Sequence, residues 1–541
     1  MKRILSIGEI LVIIVVALAP VFATFPYRIN IFLSWEGAYR ISEGQLPYRD
    51  FGMPVGYVYW LIPALFFKIF GPFLITLVKA QAFINLLSGF AFRSIFKSIG
   101  IAPGIRFLSV LVFSLSYTFP NYWPWYNHTV FVFELIALAL LFRYFSEEPR
   151  KRFLWVIGAG CFAFLSFFSK QDGGGLCLLL CLALLLYHCW FRKKWKALVF
   201  FIAAFALTAV LLILPFSGTQ IGYWFNAGQP PHSSRLSISD IIREFLAASH
   251  WLKFYVLMIA LLVMAVYRRD KMFFKNERQV LLLLLTTGIL VQAAIFQVTS
   301  YVPVDNNIFF HAFAVAYVLY LLTNLEFIDW TKPLVMITAT AGVLVWWSQV
   351  YWKYIERFVL RSQTASNATH VYGGHQYGNE VNRNTYMIDL DTTDIPLHLW
   401  RVPNSPSFKK ILVPGPTADG IDRLLALPLV KQPDLKVLNM SELTPLAHDI
   451  PFKLETGSHH PLWYHKGVGM FDRETDLFVK RISSNHYDLV LFEHIPYLNN
   501  FYPFAVRTAL QQHYQRIDSF PAPRKPSSDA WVEVYIKKPA D

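Results

Sequence analysis

Residues 33–61, LSWEGAYRISEGQLPYRDFGMPVGYVYWL, gather three carboxylates (Glu36, Glu43 and Asp50) and two guanidinium groups (Arg40 and Arg49) just after the first long apolar run. A carboxylate at a bilayer edge, partly shielded from water, ionises late and is suited to accept a proton. The same spacing allows a plainer arrangement, since Glu36 and Arg40 stand at i,i+4 and would pair on a helix while reaching for water. Further on, Ser169-Lys170-Gln171-Asp172 precedes Gly173, Gly174 and Gly175 at a membrane boundary. There the backbone N–H groups could approach a phosphate, or the chain could simply turn between two spans. His128 and His311 head two later apolar runs, where each would contact a polar ligand or anchor a helix at the interface. In the C-terminal third, His459, His460 and His465 bring three imidazoles close together. No acidic or cysteine ligand stands at helical spacing beside them, so the stretch reads as a surface loop and no metal ligands are assigned. The turn Gly415–Gly420 lacks both a phosphate-loop lysine and the Gly-x-Gly-x-x-Gly spacing, and reads as a strand-to-helix connection.

The elements that must carry these groups are set by composition. Of 541 residues, 55% are hydrophobic and 17% aromatic, and only 16% are charged, against roughly 25% in soluble domains. That excludes an ordinary soluble enzyme and predicts a polytopic α-helical membrane protein. Apolar runs fall at about 9–24, 73–92, 105–120, 129–143, 153–168, 174–190, 197–215, 252–267, 279–297, 308–323 and 333–350, eleven spans in all. A further run, Val55 to Phe70, holds Pro63 and Lys68 and is short for a hydrocarbon core of roughly 30 Å. If it does not span, the clusters around Arg93, Arg150, Lys193 and Arg268 share a side with Lys2 and Arg3, as the positive-inside rule requires. It is therefore expected to be an interfacial or re-entrant helix in a first outer loop over 25–72, with the N-terminus cytoplasmic. Residues 351–541 hold 21 basic and 20 acidic residues, so 13 of the 14 excess positive charges lie in 1–350. That excess encodes topology in a lipid bilayer and points to no nucleic-acid partner. All four cysteines, Cys161, Cys177, Cys181 and Cys189, lie in apolar segments.

After the membrane domain 1–350 and a polar connection 351–400, the pattern changes period. Ile411–Val413, Lys436–Leu438, Asp488–Phe492 and Trp531–Ile536 read as strands, with helices up to Leu427, at Phe478–Ser483 and near Ala505–His513. This predicts an extracytoplasmic α/β domain over 401–541 with a mainly parallel sheet.

The first loop also carries a resemblance. Trp35-Glu36, then Glu43-Gly44-x-x-Pro47-Tyr48-Arg49-Asp50-Phe51, then a proline and an aromatic run ending Phe67-Lys68-Ile69-Phe70-Gly71, resembles the first periplasmic loop of GT-C fold glycosyltransferases. These include bacterial relatives of protein O-mannosyltransferases and lipid A aminoarabinose transferases. The resemblance, in order of elements, covers about residues 8–350. It implies transfer of a sugar from a polyprenyl-phosphate carrier to an acceptor outside a bacterial inner membrane. In the family an Asp-Glu pair supplies the catalytic base; Trp35-Glu36-Gly37 aligns Glu36 with it and lacks the second carboxylate. The family's Lys-Pro-Pro is Met53-Pro54-Val55 here, and Lys79 falls where the family often has an arginine that meets phosphate. Lys-Gln-x-Gly stretches like that at Lys170 and Gln171 also recur in bacterial relatives.

The expectation is therefore an inverting membrane glycosyltransferase using a polyprenyl-phosphate sugar, with Glu36 or Asp50 as base. Arg40, Arg49, Lys79, Lys170, Gln171, His128 and His311 would bind substrate or phosphate. No cofactor is assigned, a divalent metal is compatible, and the acceptor is a glycan, a lipid or a protein. The alternative is a non-catalytic exporter of lipid or polysaccharide, or a polymerase of lipid-linked repeats.

Overall fold

A computed structural model describes residues 2–27, 31–53, 55–146, 152–225, 238–300, 309–352, 371–372, 375–376, 399–457, 460, 462, 471–496, 502–523 and 530–539. Pro54, His459, His465 and most of the connection 351–400 lie outside them. The helices in chain order are α1 (Lys2–Leu18), α2 (Ile31–Ser42), α3 (Val58–Phe70), α4 (Leu74–Ser98), α5 (Pro103–Phe113), α6 (Tyr126–Ser146), α7 (Arg152–Ser169), α8 (Gln171–Arg192), α9 (Lys196–Ile213), α10 (Ile238–Arg243), α11 (His250–Arg269), α12 (Glu277–Ser300), α13 (Phe309–Asn324), α14 (Pro333–Trp346), α15 (Gly415–Ala426), α16 (Leu446–Asp449), α17 (Phe471–Ser483) and α18 (Phe504–His513). The strands are β1 (Phe25–Pro26), β2 (Val371–Tyr372), β3 (His375–Gln376), β4 (Trp400–Arg401), β5 (Ile411–Pro414), β6 (Val437–Met440), β7 (Leu489–His494), β8 (Tyr514–Pro521) and β9 (Trp531–Lys537).

The chain forms two compact units. One comprises Met1–Pro20, Gln81–Pro215 and His232–Trp352; the other comprises Val21–Ala80, Phe216–Pro231 and Lys353–Asp541.

Each of the eleven expected spans overlaps a helix, and apart from the first turns of α4 these helices lie in the first unit. By length and composition, eight helices of the described chain are able to cross a membrane. The other three expected spans are shorter: α5, which ends in a π turn at Ser114–Thr118, α13 of 16 residues and α14 of 14. The bundle is pinned by buried charge. Glu9 on α1 is fully buried and pairs with Arg93 of α4 at 2.6 Å and Arg106 of α5 at 2.9 Å. On the same principle Glu277 pairs with His188 and Arg192, each at 2.6 Å. Such cationic partners offset the cost of holding an ionised carboxylate in an apolar bundle.

In the second unit the first loop and the C-terminal segment fold together. The 13-residue α3 rises about 20 Å, short of a bilayer core, as its proline and lysine suggested. It packs on α2 at Gly37, where a Cβ would stand 2.0 Å from the Trp60 ring. Strand β1 joins β5 in parallel, with β4 antiparallel on the other side of β5. A separate four-stranded sheet runs β6-β7-β9-β8. Only β6 and β7 are parallel; β9 pairs antiparallel with both β7 and β8. The mainly parallel sheet expected from the sequence is therefore a mixed one. The sequence pattern missed β8 because Gln515, Arg516, Asp518 and Ser519 make this edge strand look like a loop. Phe478, Ile482, Val506 and Leu510 of α17 and α18 fill the core under Leu438, Val490, Phe492 and Tyr535.

Candidate active site

Helix α2 presents Glu36. Most of its side chains are buried, and two indoles fix its position: Trp35 Nε1 donates to the Pro72 carbonyl at 2.8 Å, and Trp60 Nε1 donates to the Leu33 carbonyl at 3.1 Å. The Glu36 side chain is 13% exposed and that of Arg40 only 2%. Arg40 Nε donates to Glu36 Oε1 at 2.9 Å, and its other nitrogens donate to Gln45 Oε1 at 2.8 Å, the Glu455 carbonyl at 2.7 Å and His460 Nε2 at 3.0 Å. Burial raises the Glu36 carboxyl above its ordinary range, and Arg40 offsets part of that rise. The i,i+4 pairing is thus real, but it is buried.

Asp50 is built into a turn. Its Oδ2 accepts from the Leu46 N–H at 2.7 Å and from Arg49 at 2.7 Å, while Tyr48 takes a φ of 64°. The hydrogen bond from Arg49 holds the Asp50 carboxyl below its ordinary range. Backbone bonds from Gly457 to Asp50, from Gly52 to His460 and from Leu462 to Gly52 zip this turn to the C-terminal segment. Lys79, half-buried on α4, stands with Nζ 4.7 Å from the Phe70 ring. A cavity walled by Glu36, Arg40, Asn439, Ser441, Thr444 and His460 opens beside the pair, with room for water.

Glu36, Arg40, Arg49, Asp50 and Lys79 therefore belong to one unit, and Glu36 and Arg40 are in direct contact. The remaining sequence candidates lie in the other unit. Lys170 caps α8 and pairs with Asp172 at 3.0 Å, with Nζ 4.8 Å from the Phe296 ring. Gln171 opens α8, so the three glycines continue a helix instead of forming a loop. The Gly173 N–H is taken by the Asp172 carboxylate, and a Cβ on Gly174 would stand 2.1 Å from Phe167 Cα on α7. His128, half-buried on α6, stands 6.3 Å from the Tyr117 ring, and its carbonyl accepts from the Tyr117 hydroxyl at 2.7 Å. His311 Nδ1 is 3.1 Å from the Tyr255 hydroxyl, with the Trp251 ring 4.5 Å away.

Two features escaped the sequence reading. His460, read as part of a surface loop, is buried, because the zipped turn carries it onto Arg40. Burial, with Arg40 and Arg481 nearby, drives its imidazole well below the ordinary range. Glu134, inside α6, is buried and accepts from Gln292 of α12 at 2.7 Å; a lone acid in an apolar run was the available signal. Among the described residues, no three His, Cys, Asp or Glu side chains stand where they could hold a metal ion together.

No family model matches the chain, and no curated protein matches it. Among solved structures it is similar to ArnT from Cupriavidus metallidurans bound to undecaprenyl phosphate, with a TM-score of 0.51 at 10% identity over 99% of this chain and 98% of that one. The same protein in the apo state gives a TM-score of 0.53 at 10% identity, over 98% and 97% of the two chains. The likeness runs the whole length, so this chain has a GT-C-like membrane fold with a C-terminal domain.

Proposed function

We propose that the protein is a membrane glycosyltransferase that moves a sugar from a polyprenyl-phosphate carrier to an acceptor hydroxyl outside the bacterial inner membrane. The observation that carries this reading is Glu36: a carboxyl with raised proton affinity on a first-loop helix, within a fold shared with a transferase solved with undecaprenyl phosphate. A groove of about 560 Å³ between α10, α11 and α12, walled by Ile242, Phe245, Leu252, Val256, Ile259 and Leu290 among other apolar side chains, has the chemistry to take an isoprenoid chain.

The acceptor oxygen attacks the anomeric carbon as Glu36 takes its proton. The bond from that carbon to the phosphate oxygen breaks, and polyprenyl phosphate leaves with the electron pair, inverting the centre. Asp50 is less suited to this role, because Arg49 and the Leu46 N–H already satisfy its oxygens. Arg40 is likewise engaged on several sides, so the leaving phosphate falls to Lys79 or Arg49. The acceptor is a glycan, a lipid or a protein.

The test is transfer of radiolabelled sugar from a panel of undecaprenyl-phosphate hexoses and pentoses, in membranes holding matched amounts of wild type, Glu36→Gln and Asp50→Asn. Removing the base should cost about 100-fold or more in rate, so loss in Glu36→Gln with transfer kept in Asp50→Asn is expected. Loss only in Asp50→Asn moves the role to that residue. Equal transfer by all three sinks the acid-base assignment. If wild type transfers from no donor but flips labelled carrier, the exporter reading replaces this one.

A further inference from the structure

Arg40 is the contact through which the C-terminal segment reaches Glu36, and its environment is more elaborate than an i,i+4 pair needs. From the geometry we infer that His460, with Glu455, is a positioning residue that holds Arg40 against Glu36. The inference rests on Glu36 being the base.

Guanidinium groups only donate, so the 3.0 Å contact with Arg40 requires His460 Nε2 to carry a lone pair and fixes the neutral tautomer with hydrogen on Nδ1. The Glu455 carbonyl and Gln45 Oε1 take the other terminal nitrogen. Three acceptors, one from the first loop and two from the C-terminal segment, therefore hold the guanidinium plane, and little freedom remains for it to pivot off Glu36. These acceptors are themselves anchored. Glu455 binds Arg481 Nη1 at 2.8 Å and the Tyr487 hydroxyl at 3.0 Å, and the His460 ring packs on Phe478 at 5.9 Å. Among the described residues, the charged or titratable groups around the pair are Asp50, Glu455, His460 and Arg481. Without His460, a buried guanidinium loses an acceptor and turns toward another. Glu36 then keeps its burial but loses part of its counter-charge, so it ionises at higher pH.

The test uses full-length protein in the transfer assay above, with kcat/KM followed against pH. His460→Gln places its amide oxygen near the site of Nε2, whereas the shorter His460→Asn cannot reach it. Asn and Ala variants should lose about tenfold in kcat/KM, the cost of one hydrogen bond to a charged group. Their acid limb should move to higher pH, with KM for the donor unchanged, and Gln should restore both. Adding His460→Asn to Glu36→Gln should cost nothing further. If the Ala variant fails to accumulate, the Gln and Asn pair still decides. Equal activity and equal acid limbs for Gln and Asn, with Glu36→Gln inactive, overturn the inference and leave the proposed function standing. Full activity in Glu36→Gln removes the catalytic reading itself.

Discussion

Glu36 meets a single guanidinium in a largely buried setting, while Asp50 closes a turn beside the more exposed Arg49, and the two carboxyls shift in opposite directions for that reason. Asp50 is held below its ordinary 3.8. Its contribution to stability is therefore complete above that value and lost as pH falls through its lower folded value. Asp50→Asn should flatten the acid side of a thermal-midpoint profile of the purified protein, and an unchanged acid side would contradict the turn's role. Glu493 on β7 behaves the other way. It is fully buried, and burial raises it well above 4.5. The folded protein holds that proton longer than the unfolded chain, so stability falls as pH rises from 4.5. Glu493→Gln should remove that fall; a Gln variant with the wild-type pH slope would count against it. The types and order of the first-loop acids were legible in the sequence. Which partners hold each acid was not, because Arg40 beside Glu36 is fixed by Glu455 and His460 of the C-terminal segment.

At the scale of elements, helix contacts here depend on missing side chains and on paired charges. Gly37 lets α3 lie on α2, and an alanine there would press on the Trp60 ring. Gly37→Ala should cost about 1–3 kcal/mol through overpacking and displace Glu36, read as a lower melting midpoint together with slower transfer. Glu9 neutralises two arginines from different helices. Glu9→Gln should cost about 3–5 kcal/mol by leaving buried charge unpaired, and a melting midpoint within error of wild type in detergent would refute that. The sequence placed Arg93 in a basic cluster that orients the chain. It could not reveal the pairing with Glu9, because residues so far apart become neighbours only when α1 packs beside α4 and α5.

At the scale of the whole chain, the distribution of lysine and arginine predicts a cytoplasmic N-terminus and an extracytoplasmic C-terminal domain. A cysteine at the exposed Ser484 should react with an impermeant maleimide from outside intact cells, and one at the exposed Lys194 only after permeabilisation. The reverse pattern would invert the topology. The native cysteines lie in α7 and α8. Hydropathy by itself determined the polytopic helical class, the places of the spans and the change to an α/β pattern near residue 400, because bilayer crossing depends on local composition and length. Motif order in the first loop pointed to the GT-C fold that the structural likeness supports. Only the tertiary structure decided that the first loop and the C-terminal segment are one unit, that the sheet is mixed, and that His460 lies buried against Arg40. Those outcomes depend on pairing between distant strands and on desolvation by distant side chains, and neither leaves a periodic trace in a single sequence.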